Sequence, residues 1–136
     1  MRSLMVDLGL KDFQAAGIVG NLAYETRGFT ALQDINPSGG GLGYGLWTGA
    51  RRAAFENFAK ERGLGVTSEE ANYGYLKREL ETTESVALRA VTATTSLEEA
   101  TRVFRDRFAR SAVPNYEARI GWATMALQAF RASAAK

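Results

Sequence analysis

The 136-residue chain is 46% hydrophobic, enough for one buried core, and too short for two domains. It contains no cysteine and no histidine, which excludes disulfides, thiol nucleophiles, cysteine-based metal sites and the usual imidazole base, and leaves acid–base work to carboxylates, tyrosines and lysines. Seventeen basic residues scattered among fifteen acidic ones give a formal charge of +2, without the basic stripe that a nucleic-acid partner needs.

Met1 to Leu10 lacks a charged region followed by a long apolar core, so no signal peptide is expected, and no run reaches membrane-spanning length. The first predicted helix carries Leu10, Phe13, Gly17, Ile18 and Leu22 at helical spacing, and the step from Ile18 through Leu22 to Glu25 stays on the same face. A carboxylate thus stands where an apolar side chain is expected. Gly28 suits the left-handed position after a last helical turn, which puts Glu25 in that turn, at the negative end of the macrodipole. Partial burial and the dipole both penalise the ionised form, which is what a general acid requires. The alternative is a plain ion pair with Arg27, Arg51 or Arg52.

Asp34 follows Glu25 with eight residues between, and the intervening segment is suited to one arm of a small hairpin or an irregular loop. Two carboxyls facing one cleft are the arrangement that glycoside hydrolysis uses; Asp-Ile-Asn-Pro is equally ordinary turn chemistry. Tyr44 and Trp47 flank the glycine-rich loop, where flat rings can stack on sugars, although a ring of Trp47's size also suits the core. Tyr24 and Tyr116 are candidates for hydrogen bonding near Glu25.

Thr48 is a natural N-cap for a helix to about Arg62, with Ala54, Phe55, Phe58 and Ala59 as its buried stripe. Arg51 and Arg52 in its first turn oppose the dipole preference and imply an anionic neighbour. The readings for Arg51 are a structural bridge to Asp34 or to a loop carbonyl, or contact with a substrate carboxylate. Thr67 with Glu70 predicts a capping box for a helix to about Glu81, with Tyr73, Leu76 and Leu80 inward and Tyr75 elsewhere. A short helix spans about Val86 to Val91, and Ser96 with Glu99 opens another carrying Leu97, Ala100, Val103, Phe104 and Phe108. The last helix follows Pro114 and Asn115, with Tyr116, Ile120, Ala123, Leu127 and Phe130 on one face and fraying from Ala132.

The order Gly20-Asn21-Leu22-x-x-Glu25, Gly28-Phe29, Asn36-Pro37 and then Gly43-Tyr44-Gly45-Leu46-Trp47-Thr48-Gly49-x-Arg51-Arg52 resembles the phage tail lysozyme family, over roughly residues 11–127. The resemblance implies a mainly α, lysozyme-like single domain over 1–136, with an active-site loop or small β-hairpin after the catalytic helix. It implies Glu25 as the acid of a peptidoglycan-cleaving enzyme that needs no cofactor or metal. Glycan strands are then the partner, with no nucleic acid and no membrane span. Delivery to the wall from a virion or from the host cytoplasm falls to a phage tail, a holin or a larger parent polypeptide. Two departures stand out: the position six residues after Asp34, a Thr in the classical phage muramidases, is Gly40, and Leu46 leads directly into Trp47 without the Gln common in such folds.

The expected reaction is muramidase cleavage of the β-1,4 bond between N-acetylmuramic acid and N-acetylglucosamine, with Glu25 as acid and Asp34 supporting positive charge or orienting water. The alternatives are a lytic transglycosylase forming an anhydro sugar, a non-catalytic wall-binding or virion domain, and a small helical nucleic-acid binder.

Overall fold

The computed structural model describes residues 1–33, 40–109 and 113–134. Asp34 lies outside them. Around a central helix, α2 (Asp12–Thr26), are arranged α1 (Arg2–Leu8), α3 (Gly49–Glu61), α4 (Glu69–Glu81), α5 (Ser85–Thr92), α6 (Leu97–Phe104) with a π-helical turn (Arg105–Ala109), and α7 (Tyr116–Ala134). α2 is central because its buried residues lie on every side, from Ala15 and Ile18 to Gly20, Ala23 and Thr26.

Two glycines let the neighbours come that close. A Cβ on Gly17 would stand 2.9 Å from the backbone of Ala100 and Thr101 in α6, and one on Gly20 only 2.5 Å from Cβ of Ala123 in α7. Real Cβ atoms do not approach so closely, so hydrogen at these two positions brings α6 and α7 down onto α2.

The segment between α2 and α3 is held by single antiparallel bridges, Gln33 with Leu42 and Leu42 with Trp47. Leu42 and Trp47 exchange both backbone bonds, at 3.1 and 2.9 Å, and Gly43 N–H donates to the Leu32 carbonyl at 2.7 Å. The expected small hairpin is therefore a minimal one. Gly43 (φ +81°) is required at its bend, since a Cβ there would stand 2.7 Å from Asn72 Oδ1 and 2.8 Å from the Trp47 ring. Asn72 Oδ1 in turn accepts from the Tyr44 N–H at 2.8 Å and ties the bend to α4.

Under this bend Trp47, Phe55, Phe58, Tyr75, Leu76 and Leu80 form an aromatic core, with Trp47 4.7 Å from Phe55 and edge-on to Tyr75 at 4.8 Å. Several details differ from the sequence expectation. Tyr75 is buried, because α3 and Trp47 face it, whereas Tyr73 is half-buried and donates its hydroxyl to Asp7 of α1, a helix the hydrophobic pattern did not announce. Ala54 is exposed. The N-cap of α4 is Ser68 rather than Thr67, because the Ser68 hydroxyl accepts from the Ala71 N–H and donates to the Gly65 carbonyl. Ser96 caps α6 through the Glu99 N–H as expected. On α7 only Arg119 and Ala123 are fully buried; Tyr116, Ile120, Leu127 and Phe130 are half-buried, and the helix continues to Ala134.

Candidate active site

Glu25 occupies the last turn of α2, whose C-cap is Arg27 in the left-handed region (φ 50°), followed by Gly28 and Phe29 at φ 70° and 66°. Its partner is neither Arg27, Arg51 nor Arg52. It is Arg119, the buried cation of α7, whose Nη2 donates to Glu25 Oε1 at 2.7 Å.

Arg119 is 1% exposed, and among the described residues its fork donates to Glu25, to Asn21 Oδ1 at 3.0 Å through Nη1, and to the Pro114 carbonyl at 2.6 Å through Nε. Its guanidinium carbon also lies 4.5 Å from the centroid of the Tyr24 ring. Asn21 completes the relay, donating to the Gly17 carbonyl of its own helix and to the Thr101 carbonyl of α6 at 2.8 and 2.9 Å. Three helices thus fix one carboxyl oxygen of Glu25. A buried charge tolerated at such cost needs this full set of partners.

The other oxygen is uncommitted: among the described residues Glu25 Oε2 has no hydrogen-bond partner, and the side chain is 22% exposed.

The remaining candidates fall in different places. Tyr24 is at the site, under Arg119, with its hydroxyl accepting from the Asn115 amide. Tyr116 is turned to Asp106 of the π-helical turn, to which its hydroxyl donates at 2.6 Å, and its ring lies below Arg102. Burial pushes the Asp106 carboxyl up, but the Tyr116 hydroxyl and the Arg105 guanidinium outweigh it and hold it below the usual carboxylate range.

Tyr44 is half-buried and meets Phe29 edge-on at 4.9 Å. Trp47 takes the core reading: it is 1% exposed, and its indole N–H donates to Glu79 at 2.8 Å, so neither ring face is offered to a sugar. Arg51 is a structural bridge, though to Glu79 rather than to Asp34, through two bonds of 2.9 Å, with a longer contact to the Phe108 carbonyl at 3.4 Å. Burial works against the Arg51 charge, and the bonds to Glu79 more than restore it. Arg52 reaches the Gly40 carbonyl and Glu56.

Sequence reasoning missed Arg119, Asn21 as its carrier, and Glu79. One signal was present: Arg119 lies four residues before Ala123, the residue that faces α2 most closely, and so stands on the inward side of α7. Among the described residues no group of three or more acidic side chains is placed to hold a metal ion, and no helix is long and apolar enough to cross a membrane.

A mainly helical, lysozyme-like domain with a carboxyl at the end of its central helix is the class that fold and site define. The chain belongs to the phage tail lysozyme family, whose family model matches residues 1–130. Membership gives it a peptidoglycan-lytic, lysozyme-like function. Neither a curated protein nor a solved structure matches it significantly.

Proposed function

We propose that the chain is a muramidase that hydrolyses the β-1,4 bond between N-acetylmuramic acid and N-acetylglucosamine, as a tail-associated lysozyme or an endolysin. The observation that carries this reading is the Glu25 carboxyl, anchored through Oε1 by a buried arginine and open at Oε2. Glu25 gives its proton to the glycosidic oxygen as the bond to the anomeric carbon breaks, and Arg119 then holds the carboxylate that remains. Water attacks the oxocarbenium-like centre, and Asp34 is assigned to support that charge or to orient the water. Tyr24 keeps Arg119 flat against the helix end, and Tyr44 is assigned to a sugar face.

A lytic transglycosylase is the second reading, favoured by the absence of a hydroxyl at Gly40, where the classical muramidases carry a Thr. In that reaction the muramic acid's own hydroxyl attacks the anomeric carbon, and no water is added. Mass analysis of released muropeptides decides between them: hydrolysis gives products heavier by one water than the anhydro sugars. A Glu25→Gln chain that still clears walls at the wild-type rate overturns both.

A further inference from the structure

Trp122 of α7 belongs neither to the core nor to the Arg119 anchor. Each of the other tryptophan and tyrosine side chains meets a ring, a cation or a hydrogen-bond partner within the protein. Trp122 meets none of these among the described residues, and it is half-buried, so part of its ring faces solvent. Trp47, in contrast, is fully buried and gives its N–H to Glu79. An indole combines a large apolar ring with one N–H that needs an acceptor, so one without partners suits a ligand that brings both an apolar face and an oxygen.

The position of Trp122 is tied to the end of α2 twice. It follows Arg119 by three residues, which makes the two side chains neighbours on the surface of α7, and helical side chains lean toward the N-terminus, so the indole lies over the Arg119 turn. Arg119 holds Glu25. The tip of the indole reaches Gly28: a Cβ there would stand 3.2 Å from Cη2 and 3.5 Å from Cζ3. The contact is thus made by the tip of the ring, not by a face. Glu25 and Gly28 are three peptides apart, at most about 11 Å of chain. The Gly28 N–H, folded back onto the Ala23 carbonyl at 2.7 Å, makes the separation shorter still. Neighbouring sugars of one glycan strand span such a distance.

We propose that Trp122 is a sugar-binding platform beside the acid: the C–H face of one N-acetyl sugar near the scissile bond stacks on the indole, and an oxygen of that sugar accepts from the indole N–H. The assignment rests on the glycan-cleaving reading above and names a residue that seats the strand on Glu25. Gly28 then has a second reason to be glycine besides its left-handed backbone (φ 70°), since a methyl at 3.2 Å would crowd the ring. Phe29 meets Tyr44, so the two proposed platforms, Tyr44 and Trp122, contact adjacent residues of the turn after Glu25.

The test uses the full chain carrying Glu25→Gln and, as probe, a soluble tetrasaccharide of alternating N-acetylglucosamine and N-acetylmuramic acid. The two indole N–H resonances report separately, because that of Trp47 is bonded to Glu79. Excess tetrasaccharide shifts the Trp122 resonance and leaves that of Trp47 in place. Trp122→Leu, which keeps an apolar group against Gly28 without a ring, weakens binding about tenfold, or roughly 1.4 kcal/mol. Trp122→Phe keeps a ring face and stays within about threefold of the parent. With Glu25 restored, Trp122→Leu raises KM for walls about tenfold and leaves kcat within about twofold. The proposal is overturned by an unmoved Trp122 resonance in excess tetrasaccharide, or by losses that follow Tm rather than the presence of a ring. It is equally overturned if the resonance moves on concentrating the chain without sugar, which assigns the ring to a second copy. Failure of the muramidase reading is seen elsewhere: walls cleared at the wild-type rate by Glu25→Gln sink that reading, whereas an unmoved Trp122 resonance in a chain whose clearing depends on Glu25 sinks this one alone.

Discussion

Glu25→Gln should separate chemistry from folding, and the structure sets both magnitudes. The amide oxygen of glutamine still accepts from Arg119 Nη2, so the geometry survives while the countercharge is lost. Arg119 stays charged and keeps its other acceptors, so the cost lies in the lost countercharge, about 1.5–3 kcal/mol and less than the about 3–5 of stripping a buried partner outright. For a domain of this size that lowers Tm by about 5–15 °C. A fold stabilised by about 5–15 kcal/mol stays more than about 95% populated, so little activity is lost through unfolding. Loss of a general acid, in contrast, removes about 10² to 10⁴ in rate. The assay is turbidity clearing of a wall suspension, read beside thermal unfolding. Arg119→Met is the control on the other side: it strips partners from Glu25, Asn21 and Pro114 at once and costs about 3–5 kcal/mol. Combined with Glu25→Gln it should cost less than the two single changes added, because each removes the same interaction. A folded Glu25→Gln chain that clears walls at the wild-type rate, or strict additivity in the double variant, refutes the reasoning.

Gly20→Ala gains about 1 kcal/mol of helix propensity but drives a Cβ to within 2.5 Å of Ala123 and 2.6 Å of its backbone nitrogen. Overpacking of this kind costs about 1–3 kcal/mol or more, so Tm should fall, and wall clearing with it as Arg119 shifts from Glu25. Trp47→Phe leaves Glu79 without its indole donor and opens space in the core, at about 2–4 kcal/mol. Its KM for wall substrate should be unchanged below the melting range, whereas a rise in KM would return Trp47 to the sugar site. Asp12 gives a pH signature: hydrogen bonds from Arg131 at 3.0 and 3.4 Å hold its carboxyl below the usual range. Its folded value being the lower one, the contribution is complete above about pH 4 and disappears as pH falls through the folded value. Asp12→Asn should therefore flatten the acid limb of a stability–pH curve by lowering neutral stability by that small contribution, the variant and wild-type curves meeting in acid.

What was legible in the sequence was local. The helix ending at Glu25, the Ser96 cap and the Thr48 boundary each follow from a few neighbouring residues, and the structure has them. What was not legible depends on pairs far apart in the chain. Glu79 is a buried acceptor only because α4 meets Trp47 and Arg51, 32 and 28 residues away. Tyr73 and Tyr75, two apart on one helix, face different directions, and the choice between them was set by α1 and by Trp47, not by period. Arg119 breaks an apolar face 94 residues beyond Glu25, so no window of sequence contains both members of the ion pair. Glu25 stood out because it violates a local pattern; Arg119 was hidden because it satisfies a tertiary one.

The turn that follows Glu25 is built from local strain offset by local hydrogen bonds. Three consecutive left-handed residues, Arg27, Gly28 and Phe29, follow α2, and two of them carry a Cβ that disfavours this conformation by about 1–2 kcal/mol each. Thr26, fully buried, holds the turn: its hydroxyl donates to the Leu22 carbonyl and accepts from the Phe29 N–H, while its carbonyl accepts from Thr30 and Ala31. The Gly28 N–H closes onto the Ala23 carbonyl at 2.7 Å. Five hydrogen bonds at about 0.5–1.5 kcal/mol each are enough to offset the strain. Their effect is directional, since the chain leaves the helix axis immediately after Glu25. The reversal carries Phe29 to Tyr44, with ring centroids 4.9 Å apart, and both rings line a neighbouring cavity.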